Sequence, residues 1–103
     1  MLRVQVMYPN EPGKKFDMDY YLNKHMPMVT DTLGNLGLVR TEVDKGMGSM
    51  GDSPAPFVAI GYMYFEDMET LQKCMAKGQD MMADLPNFTD IQPQVQISEI
   101  IQD

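Results

Sequence analysis

The stretch "FVAIGYMYF", Phe57–Phe65, is the most hydrophobic run of the chain and decides the fold that the sequence predicts. It follows the Gly-, Ser- and Pro-rich connection "GMGSMGDSPAP" (46–56), so it reads as a strand that begins after a flexible loop. Alternate residues of a strand point to opposite faces, and here both faces are apolar or aromatic. We therefore expect a central strand that is covered on both sides.

Outward from this run, the sequence predicts three more strands and two helices. The strands are "LRVQVMY" (2–8), "LVRTEVDK" (38–45) and "QPQVQISEII" (92–101). Asp17 is the expected N-cap of the first helix, and Asp67 that of the second. The predicted apolar stripes of the two helices are Leu22, Met26, Val29, Leu33 and Leu36, and then Met68, Leu71, Met75 and Met82.

The resulting order, β-α-β-β-α-β, predicts a ferredoxin-like α+β fold. Such a fold is a four-stranded antiparallel sheet with two helices on one face. We expect residues 1–103 to form one domain. The helix-free sheet face still needs cover, because the central strand is apolar on both sides. We expect a second copy of the chain to supply it, giving a homodimer with a large, mostly apolar interface.

Composition narrows the classes of partner and ligand. The 103 residues carry 15 acids and 8 bases, a net charge of −7, so nucleic acid and anionic membranes are poor partners. The N-terminus lacks the apolar run of a signal peptide, no segment is long enough to span a bilayer, and the single Cys74 forms no internal disulfide. A cytoplasmic location is the expectation. The 12 methionines indicate a core filled with flexible side chains, then an adaptable pocket, and only last a soft-metal site.

The stretch "FDMDYYLNKHMPMV" (16–29) holds the only histidine of the chain. Helical spacing places His25 on the inward face with Leu22, Met26 and Val29. Pro27 lacks an N–H, so we expect the helix to kink or restart there with Pro27 in a first turn. An inward imidazole beside such an irregularity is either a structural core histidine or a general acid/base in an apolar cleft.

Four segments together resemble the EthD-like family, named for ethyl tert-butyl ether degradation. They are "VMYP" (6–9), the Tyr-Tyr…His-x-Pro block within 16–29, "YFEDMETL" (64–71) and "LPNFTDIQPQVQISEI" (85–100). The resemblance implies a dimeric α+β barrel, in which two sheets pack face to face and each subunit keeps a cleft between sheet and helices. Relatives in that superfamily include cofactor-free monooxygenases, polyketide cyclases, lactone isomerases and decarboxylases acting on hydrophobic or aromatic acids.

The match to the family covers Tyr20, Tyr21, His25 and Pro27, and together with the strand and helix pattern it suggests site residues. His25 is the expected proton-transfer residue, with Tyr8 and Tyr21 as polar-tipped pocket walls and Met28 as a further substrate contact. Tyr62 and Tyr64 are expected to line either the cleft or the dimer interface. Two further residues, Arg40 and Cys74, could have either a structural or a functional role. Arg40 is a solvated strand residue or a carboxylate anchor, and Cys74 is buried filler rather than a nucleophile.

Three functions stay open at this point. The first is a cofactor-free enzyme that acts on a small hydrophobic or aromatic molecule through His25, without a metal. The second is a non-catalytic ligand-binding or accessory protein of a degradation pathway. The third is a haem-handling relative in which His25 would bind iron. No second histidine, carboxylate pair or Gly-rich phosphate loop accompanies His25 in the sequence, so a triad, a metal centre and a nucleotide site find no support.

Overall fold

The fold is built on one antiparallel sheet of four strands, seen in a computed structural model that describes all 103 residues. The strands are β1 (Leu2–Pro9), β2 (Arg40–Lys45), β3 (Phe57–Phe65) and β4 (Gln94–Glu99). Their order across the sheet is β2-β3-β1-β4. This is the predicted ferredoxin-like α+β arrangement, with β3 in a central position as expected.

The first helical segment changes its hydrogen-bond pattern twice. It comprises α1 (Met18–Tyr20), a π-helical turn (Tyr21–His25) and α2 (Met26–Leu33). The second region comprises α3 (Met68–Met75) and α4 (Gly78–Met82). Both predicted caps are confirmed, since Asp17 accepts from the Tyr20 N–H and Asp67 from the Thr70 N–H. Short 3₁₀ turns span Gly34–Leu36, Met50–Asp52 and Leu85–Asn87.

The irregularity expected at Pro27 is present as the π-helical turn. The Met26 N–H donates to the Tyr21 carbonyl, five residues back, and α2 restarts with Pro27 in its first turn. The wide turn takes up one extra residue, so Tyr21 rather than Leu22 occupies the inward position before Met26. The prediction that Leu22 faces inward is therefore wrong, and its side chain is 46% exposed.

The predicted stripe of the second helix also needs correction. Leu71 and Cys74 are fully buried, whereas Met68 and Met82 are about half exposed. The chain ends α3 at Met75 and begins α4 at Gly78, which breaks the helical periodicity that the stripe assumed. Cys74 is thus a core residue, which agrees with its expected structural role.

The core lies between the helices and one face of the sheet, in two clusters. Strand register places Val4 opposite Met63 and Val6 opposite Gly61, so these side-chain positions share the helix-covered face. One cluster comprises Val4, Val29, Leu33, Met63, Phe65, Leu71, Cys74 and Met81. The other comprises Tyr8, Tyr21, Met26, Ala59, Phe88 and Ile91.

The opposite surface of the sheet, here the helix-free face, is mixed in character. β3 contributes apolar and aromatic side chains, as predicted, but the other strands contribute mostly charged and polar ones. The set is Val58, Ile60, Tyr62 and Tyr64 from β3, Arg3, Gln5 and Met7 from β1, Arg40, Glu42 and Asp44 from β2, and Gln94, Gln96 and Ser98 from β4. An interface on this face would be mixed rather than mostly apolar. None of the helices is both long and apolar enough to cross a membrane.

Candidate functional site

A cavity of about 190 Å³ lies between the helix-covered face of the sheet and the helical segments. An engineered apolar cavity of roughly 150 Å³ binds benzene, so this space suits a small aromatic or similarly sized molecule. Two lining residues, Met82 and Val95, are 45% and 57% exposed and mark its mouth. The lining is Val4, Val6, Tyr8, Tyr21, His25, Met26, Val29, Gly61, Met63, Met75, Gly78, Met81, Met82, Leu85 and Val95.

Three side chains supply all the polar side-chain groups of this lining. They are the hydroxyls of Tyr8 and Tyr21 and the imidazole of His25, and no lining side chain is an acid, a lysine or an arginine. The rest of the wall is aliphatic, glycine or thioether, and five methionines contribute to it. An apolar wall with a few convergent polar groups is typical of a small-molecule site.

The hydroxyl of Tyr21 lies against the backbone of Gly61 in β3. A Cβ added at Gly61 would collide with this oxygen, so only glycine permits the close approach. The aromatic rings of Tyr8 and Tyr21 pack edge to face, with centroids 5.6 Å apart. The two phenols are therefore held side by side over the sheet.

Burial keeps both phenols protonated. It raises the pKa of Tyr8 far above its ordinary value and raises the pKa of Tyr21 to about 12. The two hydroxyls also interact, which raises the pKa of Tyr8 further and works against the rise at Tyr21. At neutral pH each group carries a proton and can donate a hydrogen bond.

His25 is buried, at 5% exposure, between aromatic rings and a carboxylate. Its ring stacks on Tyr21 at 5.4 Å between centroids and lies 4.7 Å from the Phe88 ring. Nδ1 is 3.0 Å from Oδ2 of Asp84. No protein group hydrogen-bonds to Nε2, the other ring nitrogen.

Asp84 is held by three side-chain donors. The Tyr20 hydroxyl donates to Oδ1 at 2.7 Å, Asn87 Nδ2 donates to the same oxygen at 2.9 Å, and His25 bonds Oδ2. Burial acts to raise the pKa of Asp84, but the hydrogen bonds from Asn87, His25 and Tyr20 outweigh it, so the pKa falls below its ordinary value. The carboxylate is ionised at neutral pH and only accepts, so a neutral His25 carries its hydrogen on Nδ1.

The structure brings together three of the six predicted site residues, namely Tyr8, Tyr21 and His25. Met28 lies outside the cavity, in a shallow polar groove on the far side of Asp84, because it is two residues from Met26 on the helix. Tyr62 and Tyr64 are on the helix-free face, since strand alternation points them away from Gly61 and Met63. These three residues do not line the cavity.

The side chain of Arg40, like those of Tyr62 and Tyr64, is directed away from the cavity. Arg40 lies on the helix-free face, where it pairs with Glu42 and stacks on the Tyr64 ring at 4.0 Å. It is not available to a ligand in the cavity. The Tyr62 and Tyr64 hydroxyls donate to Asp44 and Glu42 on the same face.

Sequence reasoning missed Asp84, the partner of His25. The two residues are 59 positions apart, and Asp84 precedes the irregular segment "LPNF". An Asp two residues before a proline indicates a turn and nothing about a distant imidazole. Gly61 was recognised only as a strand residue, although an isolated glycine inside a strand is a signal of close approach.

The EthD domain model matches residues 13–92, a stretch that includes His25, Gly61 and Asp84. The chain belongs to the EthD family. An EthD-like protein from Ralstonia eutropha JMP134 is similar in structure with a TM-score of 0.90 at 36% identity, covering 99% of this chain and 93% of that one. An ethyl tert-butyl ether degradation (EthD) family protein from Bacillus halodurans C-125 has a TM-score of 0.67 at 25% identity, covering 96% and 97%.

A more distant similarity confirms the fold alone. A dimeric ferredoxin-like protein from an uncultured marine organism has a TM-score of 0.61 at 12% identity and covers 99% of this EthD chain and 95% of its own. No curated protein sequence matches the chain. The family resemblance seen in the sequence is therefore confirmed, together with the ferredoxin-like fold.

Proposed function

We propose that this EthD-family protein is a cofactor-free enzyme that moves a proton on a small hydrophobic or aromatic molecule bound in the cavity. The observation that carries this proposal is the pairing of His25 Nδ1 with Asp84 at 3.0 Å at the wall of an apolar cavity. Fold alone does not choose a chemistry, whereas an imidazole held by a carboxylate beside an apolar cavity is suited to proton transfer.

The pairing gives His25 the properties of a general base. An ionised Asp84 fixes the hydrogen on Nδ1 and leaves the lone pair of Nε2 free of protein partners. When Nε2 takes a proton, the imidazolium formed is stabilised by the adjacent carboxylate. The same ring can return the proton to another atom of the bound molecule, which is the pattern of isomerisation and cyclisation.

The cavity also bears on the haem-handling alternative. Its volume of about 190 Å³ is close to that of a benzene site, and a porphyrin is several times larger than benzene. With Nδ1 held by Asp84, Nε2 is the ring nitrogen left to bind iron, and the cavity is too small for the macrocycle.

Deuterium exchange on a panel of simple model compounds tests the proposal directly. Acetophenone, phenylacetonitrile and nitroethane, three small neutral carbon acids, are incubated with the protein in D₂O, and loss of the acidic C–H signal is followed by NMR. We expect His25→Ala to lower the protein-dependent exchange rate by roughly 10²–10⁴-fold, the usual contribution of a general base. Met28→Leu, outside the cavity, serves as the matched control and should exchange at the normal rate.

Each outcome of this experiment separates two functions. Exchange that is equally fast in His25→Ala would overturn the role of His25. Tight binding of the panel, seen as shifts of the His25 ring signals, without any exchange would favour the non-catalytic binding protein. Circular dichroism confirms that each variant is folded.

The proposal includes a homodimer formed through the helix-free face. The support is the row of β3 side chains that no helix covers, with Val58, Ile60 and Tyr62 only partly buried within one chain. The cavity lies on the helix-covered face of the sheet, so an interface on the helix-free face would leave its lining in place.

A further inference from the structure

We infer that the cavity takes a neutral carbonyl compound and stabilises its enolate, with the Tyr8 and Tyr21 hydroxyls as hydrogen-bond donors to the carbonyl oxygen. This assignment rests on the proposed function, since an enolate forms only when His25 removes a proton. It goes further by naming the class of substrate and giving the two phenols a catalytic role.

The absence of charge in the lining makes the ligand neutral. No acid, lysine or arginine lines the cavity. A buried ionic group without a partner is strongly disfavoured, so an amine that stays charged has no counter-ion here. A carboxylate would have one only with His25 protonated, and a protonated His25 cannot act as the base. Arg40, the one candidate for a carboxylate anchor, is on the opposite face of the sheet. The net charge of −7 further disfavours anions.

The hydroxyls make an oxygen acceptor on the ligand necessary. Tyr8 and Tyr21 are each 1% exposed, and their hydroxyls lie in a wall that is otherwise apolar. One hydroxyl can donate to the other within the pair, but a bound hydrocarbon would leave the second donor without an acceptor, which is unfavourable. A carbonyl oxygen has two lone pairs and no hydrogen, so it can accept from one or both phenols.

The same donors fit the charge that develops during proton transfer. Because the pKa of both phenols is raised by burial, each keeps its proton in preference to giving it up. The Tyr21 oxygen is fixed against Gly61 and the Tyr8 ring is packed against Tyr21, so neither group has to reorganise. Fixed donors in a water-poor site stabilise an oxyanion more than they stabilise the neutral carbonyl.

The step balances without an oxidant, a reductant or a second substrate. The C–H bond next to the carbonyl breaks, and its proton forms a new N–H bond at His25 Nε2. The electron pair of the C–H bond forms a C=C bond, and the electrons of the C=O bond move to oxygen. The imidazolium remains paired with Asp84, and it returns the proton to carbon in the next step.

4-Nitrophenol is a probe of the oxyanion site, because its ionised form resembles an enolate and absorbs at longer wavelength than the neutral phenol. We expect the wild-type protein to bind it with transfer of the phenolic proton to His25, so the ionised form appears at a lower pH than in free solution. Tyr8→Phe and Tyr21→Phe remove one donor each and should raise the pH at which the bound probe ionises. Tyr62→Phe, on the helix-free face, is the matched control and should behave as wild type.

Exchange of the acetophenone methyl protons completes the test. Loss of an oxyanion donor lowers rates by roughly 10²–10³-fold, and we expect a reduction of this order for Tyr21→Phe. If both phenylalanine variants ionise the probe and exchange acetophenone as wild type does, the inference is overturned, while a slow His25→Ala still supports the proposed function. If His25→Ala exchanges normally, the proposed function fails and the enolate assignment fails with it. Phenylalanine retains the buried ring, and thermal denaturation of each variant checks the fold.

Discussion

The Asp84 carboxylate accepts hydrogen bonds from three side chains that come from two distant parts of the chain. Tyr20 and His25 lie in the first helical segment, and Asn87 follows Asp84 in a 3₁₀ turn. Asp84→Asn retains the shape but loses the charge that fixes the hydrogen on His25 Nδ1. We expect the ¹⁵N shifts of the single imidazole to show a mixture of tautomers.

The same variant should lose stability. A hydrogen bond to a charged group contributes about 1.5–3 kcal/mol, so we expect a loss of that order in the free energy of unfolding at pH 7. Asp80→Asn is the control, because Asp80 is exposed, belongs to α4 and makes no side-chain hydrogen bond. Equal losses in the two variants would mean that Asp84 acts only through general surface charge.

The stability contributed by Asp84 should depend on pH in one direction. The folded protein lowers the pKa of this carboxyl below its ordinary value of 3.8, so the unfolded chain binds the proton more readily. The contribution is present at pH values above the unfolded pKa and is lost as the pH falls through the folded pKa. The difference in unfolding free energy between wild type and Asp84→Asn should shrink as the pH falls below about 4. A difference that does not shrink in this acidic range would contradict the assignment.

Gly61 is required by the Tyr21 hydroxyl, so the two residues should be coupled. Gly61→Ala places a methyl group where that oxygen lies, and we expect a loss of about 1–3 kcal/mol from overpacking. In a Tyr21→Phe background the collision is removed, and Gly61→Ala should destabilise less. Gly34→Ala is the control, because Gly34 has helical dihedral angles and no heavy atom near its Cβ position. Losses that simply add in the double variant would show that the contact is unimportant.

At the scale of elements, hydrophobic periodicity predicts the strands and both helix starts, because each depends on local pattern and capping. It fails where the backbone departs from the regular helix. The π-helical turn at Tyr21–His25 shifts the phase by one residue, and no spacing rule anticipates that Leu22 turns outward. Pro27 signals an irregularity but not its type. The role of Asp84 could not be predicted from the sequence for a related reason. Its contact with His25 depends on how the 3₁₀ turn at Leu85–Asn87 packs against the first helical segment.

Pro27→Ala tests whether the wide turn positions His25. The substitution restores an N–H that can bond the Asn23 carbonyl, so regular α-helical bonding across the segment becomes possible. We expect stability to change little, because Pro27 lies in the first turn of α2, where the missing N–H is tolerated. We also expect the His25 ring signals to shift and binding of 4-nitrophenol to weaken. Pro54→Ala, in an exposed loop, is the control. Unaltered His25 signals in Pro27→Ala would mean that packing alone sets the wide turn.

At the scale of the whole molecule, strand order follows from the β-α-β-β-α-β pattern, but the character of the helix-free face does not. The hydrophobic pattern describes β3 alone, whereas Arg3, Arg40, Glu42 and Asp44 surround its aromatic residues in the sheet. Cross-strand neighbours become known only when the register is known. That mixture changes the kind of dimer expected, since charged groups on such a face have to find partners across the interface.

The homodimer leads to a prediction that separates assembly from the site. Ile60 is central on the helix-free face and lies opposite Asp44, so Ile60→Lys replaces apolar surface while giving Asp44 a cross-strand partner of opposite charge. The fold should persist, but in a symmetric dimer the two new lysines would repel each other near the axis.

We expect sedimentation to show a wild-type dimer at micromolar concentration and an Ile60→Lys monomer. Met50→Lys, at a 91% exposed loop residue, is the control and should remain dimeric. Because Ile60 is on the face of the sheet opposite the cavity, the Ile60→Lys monomer should still bind one 4-nitrophenol per chain. A wild-type monomer would exclude the dimer, and an Ile60→Lys variant that stays dimeric would place the interface elsewhere.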